Sequence, residues 1–92
     1  MKDRVDDVKF LLLVGEELGL KPTEALNTSL VQERLSKLEL DKQNEIAECF
    51  GAKYKGVNEH GVNIWRKSAH DVPPYAIASY VSSHMKRVLY II

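Results

Sequence analysis

The chain has little cysteine, no long apolar run and no net charge, and each of these scarcities excludes something. A lone Cys49 forbids an intrachain disulfide and a multi-cysteine zinc site, and it fits a reducing compartment, with the cytoplasm as the default. The longest apolar runs, Phe10 to Val14 among them, fall far short of a membrane span. Asp3, Asp6 and Asp7 stand where a signal peptide would carry positive charge, so neither export nor insertion is expected. There is no internal repeat, low-complexity tract or Gly/Ser linker, and 92 residues suffice for one modest core, so a single domain over residues 1–92 is expected.

Catalytic signatures are also missing. No His-Glu-x-x-His and no glycine-rich phosphate loop occurs, and His60, His70 and His84 have no close pairing in sequence. Cys49 sits among apolar neighbours with no evident base, which reads as a small buried hydrophobe rather than a nucleophile. Neither an enzyme nor a metal or cofactor site is expected.

What is present suits a folded domain: 45% hydrophobic and 28% charged residues. The zero net charge hides an asymmetry. Residues 1–50 carry seven Lys/Arg against eleven Asp/Glu, a net of −4, whereas residues 51–92 carry six against two, a net of +4. An anion-binding surface therefore belongs to the second half.

The opening segment predicts a helix from Asp3, near its cap, to Leu18, with Gly19 as its stop and Val5, Val8, Leu11, Leu12 and Leu18 as its apolar side. Phe10, Leu13 and Val14 widen that stripe and point to a central position. Pro22-Thr23-Glu24 opens a short helical turn. Ser29 and Gln32 have capping-box spacing for a helix to about Leu38, whose Gln32, Glu33, Arg34 and Lys37 form a solvated face. Asp41 is a candidate N-cap for a third helix bearing Ile46, Cys49 and Phe50 and ending at Gly51. After a turn over Asp71 to Tyr75, a final helix carries Ile77, Val81, Met85, Val88 and Ile92; its stripe either packs on the first helix or forms a homodimer contact through the C-terminal helix.

Between these lies the segment with the most to say about function. Val57, Gly61 and Ile64 fall on one side of a helical wheel, with Lys55, Asn58, Glu59, Asn63 and Arg66 on the other. Through Ile46-Ala47, Phe50-Gly51 and Val57-Asn58-Glu59-His60, residues 43–67, about a quarter of the chain, resemble the helix-turn-helix DNA-binding domains of bacterial and phage regulators. The resemblance implies that the second helix enters the major groove of double-stranded DNA, with Lys53, Tyr54, Lys55, Asn58 and Glu59 as candidate contacts. Arg66 and Lys67 are candidate phosphate contacts, and Trp65 is assigned to packing.

The same residues also fit a β-hairpin with strands at Ala52–Val57 and Val62–Lys67 about a four-residue turn. Two architectures follow: a mainly α domain of four to five helices with a helix-turn-helix, which is the first expectation, or an α+β, winged-helix-like fold with a hairpin at 52–67. Two functions stand beside them. One is a small DNA-binding transcriptional regulator of phage or mobile-element type, reading DNA with residues 53–66; the other is a protein-binding module, an inhibitor or immunity-type factor.

Overall fold

A computed structural model describes residues 5–91. In chain order it contains α1 (Asp7–Glu16), a 3-10 turn (Glu24–Leu26), α2 (Thr28–Ser36), α3 (Leu40–Glu48), the strands β1 (Lys53–Val57), β2 (Asn63–Lys67) and β3 (His70–Val72), and α4 (Pro74–Ile91). The architecture is mainly helical, with a small antiparallel sheet of order β1-β2-β3, and it is compatible with the winged-helix-like alternative.

Helix α1 starts later than its acidic prelude suggests. Asp6 is the N-cap, its carboxylate accepting from the amides of Val8 and Lys9 at 3.1 and 3.2 Å; the expected cap, Asp3, lies outside the described residues. The buried face is Phe10, Val14 and Leu18 at four-residue spacing, while Val8 and Leu12 are 69% and 52% exposed. Of the expected apolar side, Leu18 is buried and Val5 and Leu11 pack against the core, whereas Val8 and Leu12 face outward and Phe10 and Val14 take their place. A helix apolar nearly all round leaves the choice of face to its neighbours, and here the larger Phe10 ring takes the core. Gly19, at φ 66°, ends this segment as expected. The Arg34 guanidinium donates to the Leu18 and Gly19 carbonyls at 2.9 and 3.2 Å, so Arg34 clasps the end of α1 instead of belonging to a solvated face.

Asn27, not Ser29, caps α2, its side chain accepting from the Leu30 amide. A three-residue turn leads to α3, where Glu39 holds the N-cap position and Asp41 lies inside the first turn. Buried Gln43 fixes that turn by donating to the carbonyls of Leu35 and Leu38 at 3.0 and 2.9 Å. At the far end the amides of Gly51 and Ala52 donate back to Glu48 and Ala47, with Gly51 at φ 80°: a Schellman cap that turns the chain into β1.

The second helix expected over residues 53–65 is a hairpin. Asn58 decides the matter locally: its carbonyl side-chain oxygen accepts from the amides of His60 and Val62 at 2.8 and 3.0 Å, and its own amide donates to the Val62 carbonyl. Gly61 supplies the positive φ, 77°, that the loop requires. The strands pair Lys53 with Arg66, Tyr54 with Trp65, Gly56 with Ile64 and Val57 with Asn63, with a bulge at Lys55. Beyond Ser68 and Ala69, β3 pairs Val72 with Trp65 and Asp71 with Arg66, so His70–Val72 is strand where a turn was expected to begin.

Helix α4 buries Ile77, Ala78, Val81, Met85 and Val88; Ile92, the expected end of this stripe, lies outside the described residues. It lies chiefly along α2 and the 3-10 turn, not along α1 as expected. A Thr28 to Ser82 hydroxyl bond of 3.0 Å marks that seam. Its link to α1 runs through His84, which is 2.7 Å from the Asp7 carboxylate and edge-on to Phe10. Trp65, fully buried, joins the sheet to the helices as one core, its indole N–H donating to Asn44 at 2.7 Å.

Candidate nucleic-acid interface

Alternation along a strand sorts the candidate residues onto two faces. Trp65 and Val72 define the inner face, so Arg66, its partner Lys53 on β1 and its partner Asp71 on β3 share the outer face. The bulge frees Lys55 to reach across the same surface, and its ammonium lies 3.0 Å from both oxygens of Asp71. Arg66 approaches that carboxylate at 3.8 Å. All four side chains are exposed, and a shallow hollow of about 430 Å³ opens among Lys53, Lys55 and Arg66.

This arrangement has a definite electrostatic character. Lys53 and Arg66 are directly opposed like charges, which disfavours the pairing. Asp71 offsets that repulsion for Arg66 and Lys55, while Lys53 has no ion pair among the described residues. Three cations around one carboxylate leave a surplus of positive charge that an external anion would relieve.

The remaining candidates go elsewhere. Tyr54 is on the inner face, its ring edge-on to Trp65 and its hydroxyl donating to Asn63 at 2.8 Å. Lys67 also leaves the outer face, its ammonium standing 4.9 Å over the Tyr80 ring of α4. The Asn58 side-chain oxygen is occupied in closing the hairpin loop, and Glu59 sits at the exposed tip beside His60. Asp71 was overlooked as part of this surface, although it and Glu59 are the only acids after residue 50.

Helix α3, which follows the short turn from α2, does not extend the basic surface. Asp41 and Glu48 are exposed on it, and Lys42 is tied to Glu17 at 3.6 Å. Glu17 first, then Glu45, raises the Lys42 pKa above its ordinary value, so this lysine stays charged and engaged with acids. Among the described residues no cluster of three His, Cys, Asp or Glu side chains suits a metal ion, and no helix is long and apolar enough to cross a membrane. No family model, curated protein or solved structure matches the chain.

Proposed function

We propose that the chain binds double-stranded DNA through the outer face of its sheet, acting as a small regulator of phage or mobile-element type. The observation that carries this reading is the surplus of charge on that face: Lys55 and Arg66 share Asp71, and Lys53, opposite Arg66, has no ion pair among the described residues. A β-ribbon presenting two or three cations side by side suits the phosphate backbone and the walls of a groove, in the manner of a wing. The acids on α3 argue against that helix entering a groove, so the ribbon is the contacting element. On this reading the protein works in the cytoplasm, where its target is. A homodimer through α4 would use the exposed Tyr75 and Tyr90, since the helix's apolar stripe is taken up by the core.

Electrophoretic mobility shift with mixed-sequence duplex DNA tests the proposal. A shift at low salt that fades as salt is added supports it, and no shift even at low salt refutes it. A second reading, a protein-binding module, draws on Val8 and Leu12, exposed one turn apart on α1. Its signature is a stoichiometric protein partner that is retained by the wild type, lost on Leu12→Ser, and indifferent to Lys53→Gln.

A further inference from the structure

Away from the outer face of the sheet lies a second basic feature. Between the end of α3, β2 and α4 lies a cleft of about 250 Å³ whose polar lining is Lys67, Ser83, His84 and Arg87. Ser83 and Arg87 stand one helical turn apart on α4, and Lys67 enters from β2. Neither Lys67 nor Arg87 makes an ion pair among the described residues. Phe50 and Tyr80, their ring centroids 5.6 Å apart, form an aromatic wall of the same cleft.

We propose that this cleft binds a small phosphate monoester, with Lys67, Arg87 and the Ser83 hydroxyl holding the phosphate and the ester group lying against Phe50 and Tyr80. A guanidinium supplies paired donors and an ammonium a compact charge, which together match a dianion's several oxygens better than a single carboxylate. The wall adds no competing charge. Burial pushes the Cys49 thiol above its ordinary pKa, which keeps it neutral at physiological pH. Asp6, Glu45 and Glu48 act on that thiol from nearby and Lys9 opposes them, yet none of the four lines the cleft. Among the described residues, Asp7 bonds a lining side chain through its carboxylate, at His84, while Asp6 and Glu48 adjoin the lining residues Val5 and Cys49 in the chain. The site is separate from the outer face and stands whether or not that face binds DNA.

The test is a ¹⁵N-edited NMR titration of the full chain with phenyl phosphate, with arms of inorganic phosphate, sodium chloride at matched ionic strength, and duplex DNA. The cleft predicts saturable shifts centred on Cys49, Lys67, Ser83, His84 and Arg87, tighter for phenyl phosphate than for inorganic phosphate. Arg87→Gln, at an exposed position, should weaken binding about tenfold or more while leaving the rest of the spectrum in place. Lys67→Gln gives an independent second loss. Shifts reproduced by chloride, shifts confined to Lys53, Lys55 and Arg66, or unchanged affinity in both variants would overturn the assignment.

Discussion

Asn58 shows how one side chain can select between two folds of the same segment. It accepts from two loop amides and so holds the hairpin that Gly61 makes sterically possible. Asn58→Ala removes both bonds, and urea unfolding should report a loss of roughly 1 kcal/mol, in the range for side-chain to backbone bonds near solvent. Cys49 makes a different residue-scale statement. Its thiol holds its proton more tightly in the folded chain than in the unfolded one, because burial disfavours the thiolate. Stability is therefore undiminished below the ordinary thiol range and falls as pH rises through it toward the folded value. Half-buried at the wall of the cleft, Cys49 should react with a disulfide reagent at neutral pH more slowly in native than in urea-unfolded protein; equal rates would contradict the raised thiol pKa.

At the scale of elements, legibility followed how many structures a pattern permits. The end of α3 at Gly51, the packing role of Trp65 and the burial of Ile77, Val81, Met85 and Val88 on α4 were legible from local pattern, whereas the neighbour that α4 packs against was not. Residues 53–65 were not, since Val57, Gly61 and Ile64 fit a helical wheel while the flanks fit strands, and only the loop geometry of Asn58 and Gly61 separates the two. The strand β3 is three residues long and has no alternation to read; it exists because Arg66 and Trp65 offer it partners. Helix α1 was legible as an element but not in its orientation, because two apolar stripes compete on it. That orientation is testable by unfolding: Phe10→Ala should cost about 3–5 kcal/mol, whereas Leu12→Ser should stay within about 0.5 kcal/mol. The reverse ranking would place Leu12, not Phe10, in the core.

Across the whole molecule, an acidic first half and a basic second half are joined by one core, and the sheet turns Lys53, Lys55 and Arg66 outward. The candidate site was half legible: Lys53, Lys55 and Arg66 come together, while Tyr54, Asn58 and Lys67 turn to other tasks that depend on strand register and loop closure. Asp71 is the acid at the centre of the basic surface, and that makes it the sharpest probe. In fluorescence anisotropy with a labelled duplex, three phosphate contacts give a logarithmic salt slope of about −2.7, a roughly forty-fold loss of affinity for a four-fold rise in salt. Asp71→Asn, which frees Lys55 and Arg66, should tighten binding several-fold and steepen that slope, and Lys53→Gln with Lys55→Gln should weaken and flatten it. An affinity that Asp71→Asn leaves unchanged or lowers, in a variant that still folds, would contradict DNA binding by this face.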